Sequence, residues 1–283
     1  MATVSRWFLD FCTLKPQGLG SREGTLDSLT LELPAGAYTT FRTFKGNCAL
    51  HLEAHFQRLE ETLRLSGYHV ILPRSELRAT IRLAIANKAP MEDVRVRLLI
   101  PMLDKVPGCY VFVEPLSVPA AWLYQEGAWA VTRVLSREQP QAKSSRFIYQ
   151  TADMRERDLK AHPRVNEILM VNPEGEILEG LSSNFFAVQE GHILTAGHGV
   201  LQGVTRSLVI EIAQRAGYPL LFRAIKIDEL SGLEEAFITS SSRGVLPLVR
   251  IDEITIGNGS PGVITRSIAC LYALRVEQMV EPI

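Results

Sequence analysis

The 283-residue chain has no surplus of charge of either sign: 30 Lys and Arg stand against 31 Asp and Glu, for a formal net charge of −1. No basic field is there to attract a nucleic-acid backbone, and no polybasic tract to hold a membrane surface; neither is expected as a partner. No apolar run approaches the roughly 18 residues that a membrane span needs. The opening M-A-T-V-S-R-W lacks a charged segment followed by an apolar one, so no secretory signal is expected. Cysteine is scarce. Cys12, Cys48, Cys109 and Cys270 lie far apart with no C-x-x-C pair. That spacing suits free thiols in a reducing cytoplasm rather than a disulfide framework or a metal site. Internal repeats and low-complexity segments are also lacking.

What remains is the composition of an ordinary globular protein, 46% apolar and 22% charged. The length suffices for two lobes. Residues 16–27 are rich in Gly and turn formers and read as a surface loop. L-T-L-E-L (29–33) and A-Y-T-T-F-R-T-F (37–44) alternate as strands, and K-G-N at 45–47 turns the second into a hairpin. Leu52, Phe56, Leu59 and Leu63 recur at helical spacing over 52–65. A second helix is expected from an N-cap at Ser75 to Asn87, then strands over 94–100 and 109–115. Residues 118–126, with Pro and Gly and little periodicity, are the expected linker between an N-terminal domain (1–117) and a larger C-terminal one (127–283). The latter holds a strand over 128–134, helices over 151–161, 203–217 and 265–278, and several short strands. In the 203–217 helix Leu208, Ile212 and Ala216 lie one turn apart, and Gly217 stands at the C-terminal position.

Five short segments carry functional groups. I-L-E-G-L-S-S-N-F-F-A-V (177–188) reads as a strand, yet it holds the carboxylate of Glu179 and then Gly180, Ser182, Ser183 and Asn184. L-Q-G-V-T-R (201–206) opens a helix, so the N–H groups of Val204 and Thr205 and the Thr205 hydroxyl can face an anion or simply cap the helix. F-I-T-S-S-S-R-G (237–244) ends a strand in a run of hydroxyls, suited to phosphate or carboxylate oxygens, or to a polar loop. Arg58 in H-F-Q-R-L lies beside an apolar stripe and can reach solvent or a phosphate. Lys143 in A-K-S-S-R looks like any solvated lysine.

Taken in order, these segments resemble the class IV pyridoxal-phosphate aminotransferases, of fold type IV, over about residues 36–262. That family holds branched-chain and D-amino-acid aminotransferases, R-selective amine transaminases and aminodeoxychorismate lyases. G-A-Y-T-T-F-R-T-F (36–44) is similar to its first motif, A-K-S-S to the segment of its Schiff-base lysine, E-G-L-S-S-N-F-F to its E-G-x-x-x-N-x-F signature, and G-V-T-R to its phosphate motif.

The resemblance implies an α+β enzyme of two domains, a small α/β sandwich followed by a larger pseudo-barrel with helices, binding pyridoxal 5′-phosphate. Lys143 is then the catalytic lysine, partly desolvated and near neutral when free so that it can carry a proton. Glu179 pairs with the pyridine nitrogen. Arg58, Val204, Thr205, Ser240 and Ser241 hold the phosphate, and Ser183 and Asn184 line or brace the cofactor. Tyr38, Arg42, Arg97, Ser242 and Arg243, with Arg146 nearby, are the expected substrate contacts; Arg97 could equally serve a structural salt bridge.

The implied reaction moves an amino group between an amino acid, branched-chain-like as a first guess, and a 2-oxo acid, in a homodimer. The alternatives are a lyase releasing pyruvate from aminodeoxychorismate and a non-catalytic relative that binds a small ligand. Two departures bear on substrate. Thr39 follows Tyr38 where branched-chain and D-amino-acid enzymes usually carry Glu. Ile148 stands five residues after the lysine, where many branched-chain enzymes have Tyr.

Overall fold

The computed structural model describes residues 2–87 and 92–283. The chain divides into two compact units. The first comprises Met1–Ser117, Ala142–Gln150 and Gln278–Ile283; the second comprises Val118–Gln141 and Thr151–Glu277. The segment carrying Lys143 thus groups with the first unit.

The first unit contains β1 (Thr3–Asp10), β2 (Pro16–Glu23), α1 (Leu26–Thr30), β3 (Gly36–Phe44), β4 (Cys48–Leu50), α2 (Leu52–Leu65), α3 (Arg74–Ala86), β5 (Val94–Pro101) and β6 (Gly108–Pro115). Its antiparallel sheet runs from a C-terminal strand, Val280–Pro282, through β4, β3, β5, β6 and β1 to β2. Alternation along β3 sends Ala37 and Phe41 to one face and Tyr38 to the other. The first face packs against the α2 stripe of Leu52, Phe56, Leu59 and Leu63, all fully buried. Burial of each such side chain contributes about 2 kcal/mol, and Leu59→Ala would cost roughly 2–5 kcal/mol. The second face packs with Leu26 and Leu29 of α1 and with Ile148.

Several expectations in this unit are corrected. Residues 16–23 form a strand, not a loop. β2 is an almost wholly exposed edge, so no apolar alternation marks it, and backbone pairing to β1 holds it. The expected strand at 29–33 gives way to α1, because Thr25 and Ser28 form a capping box and Leu26 and Leu29 share a buried helical face. The second helix starts at Arg74 with Pro73 at its N-cap, not Ser75, and no side chain caps it.

The second unit contains α4 (Ala121–Glu126), β7 (Ala128–Val134), most of α5 (Arg146–Lys160), β8 (Val165–Val171), β9 (Glu176–Gly180), β10 (Asn184–Gln189), β11 (His192–Leu194) and α6 (Val204–Arg215). After them come β12 (Leu220–Leu221), β13 (Ile225–Lys226), β14 (Glu235–Ser240), β15 (Gly244–Ile251), β16 (Ile254–Thr255) and most of α7 (Val263–Met279). β10, β14, β15, β7, β8 and β9 pair in that order, and the pair Asn184↔Glu179 between β10 and β9 closes the ring. This is the barrel-like element of the fold. Its core includes Leu169, Ile177, Phe185, Ile238 and Leu246, together with Leu123 of α4. Residues 121–126, read from sequence as linker, are therefore helical and anchored by Leu123.

Helix α5 begins at Arg146, five residues before the expected start, with Phe147 and Ile148 buried in its first turn. In α6, Leu208 and Ile212 are buried as expected. Ala216 is exposed, because the helix has ended there, and Gly217 follows with φ +77.

Candidate active site

Functional side chains occur in both units. In the first, the main chain pins Lys143. Its carbonyl accepts from the Tyr38 N–H at 3.0 Å, and the next residue but one, Ser145, donates its N–H to the Gly36 carbonyl at 2.8 Å. The Lys143 N–H donates to Thr62 Oγ1 at 3.1 Å, and that hydroxyl donates to the Arg58 carbonyl at 2.8 Å. The lysine is thus tied to β3 and to α2. Its Nζ lies 4.8 Å from the centre of the Tyr38 ring.

Arg58 sits one turn beyond His55 on α2. Its Nη2 donates to Thr39 Oγ1 at 2.7 Å and approaches His55 Nδ1 at 3.0 Å. Its Nε is buried with no hydrogen-bond partner among the described residues. Burial lowers the guanidinium to about 10, with Tyr38 opposing the shift, so it stays charged at neutral pH. His55 is fully buried, and burial first, then the positive charges of Arg58, Lys143 and His51, push its imidazole well below the usual value.

Arg97 and Arg42, expected at the substrate, are engaged within this unit. Arg97 forms an ion pair with Asp27 at 2.7 Å and donates to Thr30 Oγ1 at 2.8 Å and Thr40 Oγ1 at 3.0 Å. Its guanidinium also stands 4.9 Å from the Tyr38 ring centre. Arg42 pairs with Asp93 at 3.0 Å and covers the Phe44 ring. Arg146 is exposed at the start of α5.

In the second unit, Glu179 is buried where the strand ring closes. Its Oε1 accepts from Arg137 Nε at 3.0 Å. Its Oε2 accepts from Asn184 Nδ2 at 2.9 Å and from the Leu201 N–H at 3.1 Å. Asn184 also donates to the Leu201 carbonyl at 2.8 Å, so it braces both the carboxylate and the loop before α6. A Cβ on Gly203 would fall 2.2 Å from Asn184 Oδ1, which is why a glycine must stand there.

Gly203 is the N-cap of α6, and among the described residues no side chain, Thr205 included, caps the helix. The first-turn N–H groups at Val204 and Thr205 therefore form an uncapped, electropositive end. Arg206 turns away and steadies the preceding loop, donating to Gln202 at 2.7 Å and to the Ala196 carbonyl at 2.8 Å.

A second buried carboxylate, Glu167 on β8, organises the turn after Glu179. It accepts from Ser183 Oγ at 2.7 Å and Ser182 Oγ at 2.9 Å and pairs with Arg243 at 2.6 Å. Arg243 also donates to Ser240 Oγ at 3.1 Å and to Asn166 Oδ1 at 3.1 Å. Ser183, Ser240 and Arg243, expected at cofactor or substrate, are thus joined in one internal network. Gly180 has its own reason here: a Cβ would lie 2.3 Å from Ser183 Oγ and 2.6 Å from Glu167 Cγ. In the hydroxyl run, Thr239 is the residue aligned with Asn184, hence in one row with Glu179. Its hydroxyl is buried without a partner among the described residues. Ser241 and Ser242 lie half-buried in the turn that follows.

Arg137, Glu167 and His55 escaped the sequence reading, whereas Thr239 was met there as the first of the hydroxyl run. Glu167 left a signal, a carboxylate inside the apolar strand V-N-E-I-L-M-V, of the same kind that marked Glu179. Arg137 left none, since it lies in a polar stretch without periodicity.

Comparison with known proteins decides the family. The Amino-transferase class IV model matches residues 36–251. The chain belongs to that family. It is 29% identical over 264 residues to an aminodeoxychorismate lyase of Bacillus subtilis, covering 87% of each chain. To a branched-chain-amino-acid aminotransferase of Pseudomonas aeruginosa it is 24% identical, covering 86% of this chain and 84% of the other. In fold it is similar to a branched-chain aminotransferase of Thermoproteus uzoniensis with norvaline, at a TM-score of 0.80, 22% identity and 99% coverage of both chains.

As a class IV member this chain is a pyridoxal-phosphate enzyme of the transaminase kind. The residues fit the cofactor. Within the second unit the uncapped α6 end suits a phosphate, and within the first the buried, incompletely paired Arg58 is likewise suited to an anion. Glu179 presents a carboxylate already oriented by three donors.

Proposed function

We propose that the protein transfers the amino group of an amino acid to a 2-oxo acid, with Lys143 as the catalytic residue. The observation that carries this is the backbone pinning of Lys143 to β3 and α2, which fixes the base of the side chain and sets its Nζ 4.8 Å from the centre of the Tyr38 ring. When bound, the cofactor supplies the electron sink and carries the amino group between half-reactions. Lys143 Nζ would take up and return the proton at the substrate Cα, as general base and then general acid. Glu179 holds a proton on the ring nitrogen by opposite charge. Arg58 in the first unit, and the N–H groups of Val204 and Thr205 in the second, are each candidates to hold the phosphate. Asn184 keeps Glu179 in place, and the Glu167–Arg243 network keeps the 180–183 turn in place. Arg42, Arg97 and Arg243 are filled by internal partners, which leaves Tyr38, Ser242 and Arg146 as the residues to meet the substrate. The same reading has the enzyme acting in the cytoplasm as a homodimer.

The test is a screen of L- and D-amino acids against the cofactor-loaded protein, reading conversion to the pyridoxamine form by absorbance. Lys143→Ala should give no cofactor label after borohydride reduction. A wild-type protein that takes up no pyridoxal phosphate would sink the proposal.

A second reading has one specific support, the match to the Bacillus subtilis aminodeoxychorismate lyase over 87% of both chains. Release of pyruvate and 4-aminobenzoate from aminodeoxychorismate, with no 2-oxo acid acceptor, would favour it over transamination.

A further inference from the structure

We infer that His55, with Thr39, is the positioning residue that aims Arg58 at the cofactor phosphate; this rests on the reading of Arg58 given above. Arg58 has a buried Nε and reaches Thr39 Oγ1 at 2.7 Å and His55 Nδ1 at 3.0 Å through one terminal nitrogen. Thr39 Oγ1 in turn lies 2.7 Å from His55 Nδ1. A guanidinium only donates, so the ring nitrogen facing it must be an acceptor, and the imidazole proton sits on Nε2. The three groups then form a consistent set: Arg58 donates to Thr39 and toward His55, and Thr39 donates to His55. The set anchors one end of the guanidinium to β3 and leaves the Nε edge for a phosphate oxygen. This chain thus holds Arg58 with a neutral pair, Thr39 and His55.

A protonated His55 would turn its acceptor into a donor aimed at a cation. The groups facing it are Arg58 from α2 and His51 at that helix's N-cap, Lys143 from the 142–145 segment, and Thr39 and the Phe41 ring from β3. The charged ones among them are all cationic or can become so, and they reinforce the neutral form.

The experiment measures binding of pyridoxal 5′-phosphate and of pyridoxal, which lacks the phosphate, to the wild-type chain, His55→Leu and His55→Asn. Thermal unfolding of each apoprotein checks the fold. His55→Leu should lose roughly tenfold in pyridoxal-phosphate affinity while binding pyridoxal as the wild type does. His55→Asn offers a neutral acceptor in place of Nδ1 and should recover most of that loss. Only well below the ordinary imidazole range, where the buried His55 first takes a proton, should the wild type lose pyridoxal-phosphate affinity more steeply than His55→Asn. The phosphate's own protonation acts on both proteins equally. A His55→Leu variant that folds and binds pyridoxal phosphate as tightly as the wild type would overturn the inference, as would an equal loss for both compounds. A wild type that binds neither compound would instead overturn the cofactor assignment, and this inference with it.

Discussion

Glu179 and Arg137 form a buried ion pair, Nε to Oε1 at 3.0 Å, with 2% and 5% of their side chains exposed. The pair is anchored further by Asn184, the Leu201 N–H and the Leu181 carbonyl. Removing one partner leaves an uncompensated charge in a dry site. Arg137→Met should therefore destabilise the protein by roughly 3 kcal/mol or more, measured by urea denaturation of the apoprotein. Removal of both charges in Arg137→Met/Glu179→Met should cost less than the sum of the single changes. A single-variant loss below about 1 kcal/mol would mean that the pair is solvated and does not orient the carboxylate.

A steric relationship gives a second prediction. Gly203 faces Asn184 Oδ1 so closely that a Cβ would come within 2.2 Å. Gly203→Ala should displace Asn184, free Glu179 from one donor, and weaken cofactor binding along with stability by roughly 2 kcal/mol. In an Asn184→Ala background the same change should be nearly neutral, since the obstructing oxygen is gone. Purely additive costs in the double-mutant cycle would show that the clash relaxes elsewhere.

The legibility of this chain in its sequence divides along physical lines. Elements with a strong apolar period, α2 above all, were readable because burial selects the same residues that periodicity marks. β2 was not, because an exposed edge strand is held by backbone pairing that leaves no pattern in side chains. The motif residues Lys143, Glu179 and Gly203 could be recognised from their order along the chain. Their partners could not. Arg137 is 42 residues from Glu179 and Arg243 is 76 from Glu167, and local spacing does not foretell contacts that far apart. The arginines expected at the substrate show the converse limit. An arginine near a motif looks the same in sequence whether its guanidinium faces a ligand or, like Arg97, fills itself with Asp27, Thr30 and Thr40.

Arg97 accordingly supplies a third prediction. Arg97→Met removes the ion pair of a buried guanidinium with the half-buried Asp27 and two further hydrogen bonds, so stability should fall by roughly 2 kcal/mol. The KM for the amino donor should stay within about threefold of wild type, well under the loss expected when a charged hydrogen bond to substrate is removed. Asp27→Asn should destabilise less, because the neutral amide still accepts from the arginine. A large rise in KM with stability preserved would return Arg97 to the substrate.

The last prediction concerns acid. Burial alone would raise the Glu167 carboxyl, but Arg243, Arg155 and the Ser183 hydroxyl together outweigh it and hold the group below its usual value. The unfolded chain therefore binds this proton more readily than the folded one. Stability from the network is fully present above about pH 4.5 and is lost as pH falls through the lower, folded value. Glu167→Gln should be less stable than wild type at pH 7, because it leaves Arg243 without its counter-charge, and its stability should fall less steeply between about pH 5 and pH 3. Urea midpoints across that range measure both effects. Parallel acid profiles for the two proteins would show that the acid sensitivity belongs to other carboxylates and that Glu167 does not govern the turn beneath Glu179.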